Sequence, residues 1–427
     1  MATINLPYGK ETLSISLPDR WLGHVAVPRP VRSTGDAEGI IRQALHQPIF
    51  SPRLSELVRR GQRIAVVVDD FTRKTPVARF LSLVLDELKS AGVREADTTI
   101  VVALGTHRPM TAAEIKAKVG ERIAGSMQIV NTPSHVEEQM TFLGTSSNGI
   151  PAWVNRTVAE ADVRIGLGMI TPHSDAGFSG GSKIILPGVC SSLTVNAFHA
   201  ATAFHGETQL GQVDSVIRRD LEEFVAEKAP LAFIVNVIFT LQGEIAQCVA
   251  GHPVHAHRKG VSYAMDVFGA LIPHKYPVVV ANSSPYDVDL WQSTKGAFCG
   301  GQVTANGGSL ILVTAASEGN SNYPRFPSYL GAGPDLLKRQ LAEGKYSDAT
   351  LASESVKLWQ LRRRANLVMV SDGLTDRDFA TMGIKNLPTV EAAVEETVGR
   401  LPPSQRNRSV CVIPQAGVVL PVLEPID

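Results

Sequence analysis

No apolar run in this 427-residue chain reaches the ~20 residues that a membrane-spanning helix needs, which excludes a helical membrane protein. Excess charge is also missing. Lys and Arg total 41, Asp and Glu total 41, and the formal net charge is zero, so bulk charge predicts neither a nucleic-acid partner nor an anionic membrane. Cysteine is scarce. Cys190, Cys248, Cys299 and Cys411 stand far apart, without the C-x-x-C spacing used for zinc or redox work, and each is expected to be a small buried hydrophobe. The opening segment Met1–Gly9 has no basic or apolar stretch, so no signal peptide is expected, and the scattered thiols then point to a cytoplasmic protein. Two nucleotide fingerprints are absent as well: no G-x-G-x-x-G follows a strand, and no G-x-x-x-x-G-K-[ST] occurs.

What is present suits a soluble globular enzyme. The chain is 44% hydrophobic and 19% charged, and its length suggests two or three domains. Residues 63–68 form a continuous β-branched run, the pattern of a strand buried on both faces. A helix over 77–91 follows, with Phe80, Leu81, Val84, Leu85 and Leu88 at helical spacing and Gly92 at its end. A second buried strand spans 98–104, completing a βαβ unit. Strands near Ile129, at 163–167 and at 232–237, with helices around 112–119, 213–228 and 260–268, continue the rhythm. The polar stretch 251–259, with His252, His255 and His257, reads as a solvated loop. Residues 273–277 read as a linker. A second α/β series then begins, with strands at 278–281, 309–313, 366–370 and 409–413 and helices near 292–305, 334–343, 350–363 and 389–400. The expected fold is two α/β domains, 1–272 and 278–405, with mostly parallel sheets and a cleft between them. A tail over 406–427 is expected to return to the first domain.

Ligands of such sheets bind beyond the carboxyl ends of the strands, so the chemistry should follow them. After the first strand comes Asp69-Asp70-Phe71-Thr72-Arg73-Lys74-Thr75, where Arg73 can grip a carboxylate or phosphate and Thr72 or Thr75 can cap the next helix. After the second comes Gly105-Thr106-His107-Arg108, offering His107 as a general base. After the 163–168 strand, Thr171 to Lys183 holds His173 and closely spaced glycines that can wrap a phosphate, with a lysine that burial or cationic neighbours could make nucleophilic. His199 falls in a helical segment and is a candidate metal ligand. In the second series, Gln292 and Lys295 are three residues apart and share a helix face.

Together, Asp70-Phe71-Thr72-Arg73, Gly105-Thr106-His107-Arg108-Pro109, His173 with Ala176 to Lys183, His199, and Gln292-Ser293-Thr294-Lys295 resemble the nickel-dependent lactate racemase family in order and spacing over most of the chain. The resemblance implies an isomerase: a racemase or epimerase of small 2-hydroxy acids. Its cofactor is a nickel pincer nucleotide, a pyridinium mononucleotide that holds nickel through two sulfurs and a ring carbon and is supplied by separate maturation enzymes. In this chain Lys183 would carry the covalent link and His199 the nickel. His107 and His173 would be the acid/base pair, and Arg73, Gln292 and Lys295 would bind substrate. Asp70, Thr72, Arg73, Phe178 and Trp291 would also meet the cofactor. The implied chemistry is reversible hydride removal from the carbinol carbon. Trp291 departs from the pattern, standing where lactate-specific members carry tyrosine, so malate, 2-hydroxyglutarate and sugar acids are open as substrates. Two other readings compete: a protein that only binds or stores the pincer nucleotide, and a nicotinamide-dependent 2-hydroxy acid dehydrogenase.

Overall fold

The computed structural model describes all residues except Thr34, Lys74, Ser321, Asn322, Tyr346, Ser347 and 425–427. Two six-stranded sheets organise it. The first has the strand order Ile245–Gly251, Phe233–Phe239, Val163–Met169, Ile64–Asp69, Thr98–Ala103, Gln128–Val130, and only the Ile245–Gly251 strand runs antiparallel. The second has the order Lys385–Asn386, Asn366–Val370, Thr304–Val313, Tyr276–Asn282, Val410–Ile413, Leu22–Val25, and is wholly parallel. The β-branched runs form these strands because both faces are covered: every residue of Ile64–Asp69 and of Phe233–Phe239 is buried.

Both sheets are doubly wound. From Ile64–Asp69 the chain builds outward through Thr98–Ala103 and Gln128–Val130, then crosses to Val163–Met169 on the other side. This reversal opens a crevice past Asp69 and Met169, the standard ligand position in open α/β sheets. The second sheet reverses in the same way about Tyr276–Asn282, with Val410–Ile413 on its far side. The sheets share one continuous apolar core that includes Val67, Ile170 and Phe178 from the first series and Val279, Phe298 and Leu310 from the second.

Strand pairing differs from the sequence reading at both ends of the chain. Val410–Ile413 does not return to the first sheet but lies in the second, hydrogen-bonded between Tyr276–Asn282 and Leu22–Val25. Only the last strand, Leu420–Leu423, turns back, to pair with Gly269–Ile272. Residues 1–25, grouped by sequence with the first unit, belong with the second sheet: Leu22–Val25 is its edge, and Leu6, Ile15 and Leu17 pack beneath Val278, Val280 and Ile311. Pairing between distant strands is set by which apolar faces meet, and local pattern does not record it. The 251–259 stretch also differs. A helix starts at His255 and runs to Phe268, and His257 is buried within it rather than solvated.

All four cysteines are free and buried, as expected of small hydrophobes. Among the described residues no helix is long and apolar enough to cross a membrane.

Candidate active site

The turn after Ile64–Asp69 places two adjacent carboxylates in different roles. Asp69 points inward, where Lys118 Nζ donates to it at 3.0 Å and Thr75 donates its hydroxyl. Burial pushes the Asp69 carboxyl up to about 6, against the pull of Lys118. Lys118 also donates to the Arg73 carbonyl at 2.8 Å, so this pair fixes the turn. Asp70 points toward the crevice. Its Oδ2 lies 2.6 Å from His107 Nδ1, and its Oδ1 accepts from the Thr72 amide and hydroxyl at 3.1 and 2.6 Å. Burial alone would raise the Asp70 carboxyl, but the hydrogen bond and charge of His107, with Thr72 and Arg73, hold it below the usual range. Neither threonine caps the following helix, whose N-cap is Pro76; both bind the acids instead. Arg73 donates to Thr72 Oγ1 at 3.1 Å, and Lys74 lies outside the described residues.

With a carboxylate on Nδ1, that nitrogen of His107 carries a proton, so in the neutral form of the ring the free lone pair is on Nε2. Arg108 is not available to a ligand, because it grips Glu114 with two bonds of 2.6 and 2.8 Å.

The segment after Val163–Met169 folds into a small hairpin, Pro172–His173 against Gly177–Phe178, followed by a short turn of helix, Gly181–Ile184. His173 has the opposite arrangement to His107. The Asp175 amide donates to His173 Nδ1 at 3.1 Å, so the neutral ring carries its proton on Nε2. Burial, then the charge of Lys183, holds its pKa well below the usual histidine value. Gly180 has φ +77°, and a Cβ there would meet Asn236 Oδ1 and Ile170 at 2.8 Å, so only glycine lets the loop pass this close to the sheet. The turn delivers Lys183 into the crevice. Burial, then Arg73, lowers the Lys183 amine to about 7. His199 comes from helix Ser192–Thr202, and burial lowers it to about 4, leaving a neutral imidazole with Nδ1 3.8 Å from Asp175 Oδ2.

Helix Leu290–Val303 brings the third group. Asp289 caps it by accepting the Gln292 amide at 2.7 Å. The shared face is realised: Lys295 Nζ donates to Gln292 Oε1 at 2.7 Å and sits 3.4 Å from the Tyr286 ring centre. Burial, then Arg73 and Lys183, pushes the Lys295 amine well below its usual value. Trp291 packs on Tyr323 and Phe326, with ring centres 4.8 and 5.0 Å away.

One cleft therefore collects Asp70, Arg73, His107, His173, Lys183, His199, Trp291, Gln292 and Lys295. Two expected site residues do not line it. Thr72 stands behind Asp70, and the Phe178 side chain is buried in the core. Among the described residues, Arg73, Lys183 and Lys295 have no carboxylate within ion-pair distance. A cleft in which burial and Arg73 lower Lys183, and burial, Arg73 and Lys183 lower Lys295, favours an anion.

Sequence reasoning missed the supports behind this wall. Arg218 is fully buried and donates to the Phe178 carbonyl at 2.6 Å and the Gly180 carbonyl at 3.4 Å, while His257 Nε2 lies 2.9 Å from the Ser179 carbonyl. Lys357 binds Asp175, and also Glu354 at 2.6 Å, and Glu354 in turn accepts from Thr294 at 2.8 Å. Arg218, Glu354 and Lys357 lie in helices that read from sequence as ordinary polar faces, and His257 lies in the stretch that reads as a solvated loop.

Residues 8–211 match the family described as the lactate racemase N-terminal domain. A lactate racemase of Thermoanaerobacterium thermosaccharolyticum is 31% identical over 381 residues, covering 87% of this chain and 88% of that protein. A lactate racemase of Lactiplantibacillus plantarum is 30% identical over 325 residues, covering 75% and 76%. The fold matches the lactate racemase apoprotein structure from T. thermosaccharolyticum with a TM-score of 0.87 at 29% identity, over 99% of this chain and 100% of that one. A Thermotoga maritima protein shares the fold, with a TM-score of 0.66 at 21% identity, over 87% and 96% of the two chains.

Proposed function

The chain belongs to the lactate racemase family and is an isomerase, and from that premise we propose that it inverts the carbinol carbon of a small 2-hydroxy acid with a nickel pincer nucleotide held in the cleft. The observation that carries this reading is the meeting in one cleft of two oppositely arranged histidines with Arg73, Lys183 and Lys295, which have no carboxylate partner among the described residues.

The residues fit such a cofactor. Lys183 is a buried amine lowered to about 7, so an appreciable fraction is neutral and nucleophilic near neutrality. His199 is a neutral imidazole, the form that binds a metal. Among the described residues no cluster of three or more His, Cys, Asp or Glu could hold a metal ion, so nickel here would draw most of its donors from the nucleotide. When bound, the group supplies an acceptor for the hydride of the carbinol carbon.

The chain's own residues do the rest. Arg73 and Lys295 hold the substrate carboxylate, which relieves the mutual repulsion that depresses Lys295. His107, oriented by Asp70, takes the hydroxyl proton on Nε2 as the carbon loses hydride. His173 offers Nε2–H to the same oxygen from its own side. The resulting keto acid is planar and neutral at the carbonyl, so hydride can return to either face. The histidines exchange roles for the opposite enantiomer, and for His173 this requires the Asp175 amide bond to release. Four buried free thiols suit a reducing compartment, and we place the enzyme in the cytoplasm beside the enzymes that mature the cofactor.

The test is an intact mass and peptide map after co-expression with the cofactor-maturing enzymes, followed by an assay of 2-hydroxy acids for loss of optical purity. A nickel-containing adduct on the Lys183 peptide together with racemisation is expected. An unmodified lysine, with the same maturation enzymes active on a known family member, would overturn the cofactor assignment.

A further inference from the structure

The wall formed by helix Ala349–Arg364 carries polar groups that the proposed reaction leaves unused. Thr350 lines the cleft with Trp291, Thr294 and Glu354. It is 6% exposed, and among the described residues its Oγ1 has no hydrogen-bond partner. A buried hydroxyl without a partner is costly and rare, and at the edge of a ligand cleft the ligand is the natural partner.

Glu354 stands one turn further along the same face and lines the same cleft. One of its oxygens accepts from Thr294 at 2.8 Å and the other from Lys357 at 2.6 Å. A carboxylate has about four acceptor positions, so each oxygen retains capacity for a ligand.

Charge decides what kind of ligand fits. Among the described residues the Lys and Arg side chains lining the cleft are Arg73, Lys183 and Lys295. In the reaction proposed above, Arg73 and Lys295 hold the carboxylate of the reacting carbon and Lys183 carries the cofactor. Lys357 is committed to Asp175 and Glu354. A second substrate carboxylate would therefore face Glu354 with no cation left among the described residues to receive it. A hydroxyl meets no such penalty, since it donates to Glu354 and accepts from Thr350.

We propose that Thr350 and Glu354 form a subsite for a side-chain hydroxyl, so that the preferred substrates are 2-hydroxy acids bearing at least one further hydroxyl, ahead of lactate and of dicarboxylic hydroxy acids. This rests on the racemase reading. Trp291 with Tyr323 supplies an apolar face beside the same subsite.

The experiment uses cofactor-loaded enzyme with glycerate, 2,3,4-trihydroxybutanoate, lactate, 2-hydroxybutanoate and malate, each followed by chiral chromatography, with calorimetric binding of the same acids as a parallel readout. The hydroxylated acids should exceed 2-hydroxybutanoate in kcat/KM at least about tenfold, with malate weakest. Thr350→Val should erase most of that ratio, Thr350→Ser should keep it, and Thr350→Ala replaces the valine variant if that variant fails to fold. Preference for malate or 2-hydroxybutanoate, or a ratio unmoved by losing the hydroxyl, overturns the subsite and leaves the racemase reading standing. If no acid is inverted by loaded enzyme, the racemase reading falls. The binding order and its response to Thr350→Val then decide the subsite alone.

Discussion

Asp70 Oδ2 lies 2.6 Å from His107 Nδ1, and this contact joins the ends of two adjacent parallel strands. It sets which nitrogen of His107 is free, because a carboxylate accepts only from N–H. Asp70→Asn keeps the shape but lets the ring choose the wrong tautomer. Racemisation should fall by about 10²–10⁴. The mass of the Lys183 peptide, measured in the same preparation, separates this loss from failure to load cofactor. Near-normal turnover would show that the contact does not orient the base.

The two histidines should be individually indispensable. His107→Ala and His173→Ala should each lower the rate in both directions by about 10²–10⁴, since one complete inversion uses both rings. Starting separately from each pure enantiomer checks this. A variant that kept its rate in both directions would rule out the two-base scheme.

Lys183 should titrate as an unusual amine. Burial and Arg73 lower it to about 7, so its neutral form dominates above that pH, whereas an ordinary lysine needs about 10.4. Labelling of the apoprotein with an amine-reactive anhydride, read by peptide mass, should be half-maximal near pH 7 at Lys183 and absent in Lys183→Ala. Between the two values the unfolded chain binds the extra proton. This group's contribution to stability therefore rises with pH from about 7 to about 10.4. Labelling that follows ordinary lysines would remove the case for a poised nucleophile.

Lys357 is buried between Asp175 and Glu354, whose opposite charges hold its amine above the usual lysine value despite burial. Lys357→Met leaves two buried carboxylates without their cation, and denaturant unfolding should show a loss of about 3–5 kcal/mol. The double variant Lys357→Met with Glu354→Gln should recover part of that loss, because one of the stranded charges is gone. A neutral Lys357→Met would mean that water reaches this network.

Much of this site was legible along the chain. Asp70, Arg73, His107, His173 and Lys183 follow strands whose β-branched runs are recognisable. A doubly wound sheet places such residues at one crevice wherever the strands pair in parallel. The helical spacing of Gln292 and Lys295 was equally local, and their 2.7 Å contact follows from it. Arg218, Thr350 and Lys357 were not legible, because a buried polar residue in a helix has the same spacing as a solvated one, and His257 read as solvated because its stretch is polar.

The sequence by itself determined the strands, the helices that separate them and the polar turns at their ends, because those depend on side-chain periodicity within a few residues. Tertiary structure alone decided that Val410–Ile413 and Leu22–Val25 complete the second sheet. It alone brought Lys357 to Asp175 across 182 residues of chain. Such pairings depend on which apolar faces and opposite charges meet once the chain is compact, and residues that far apart leave no periodic signal in one another's neighbourhood.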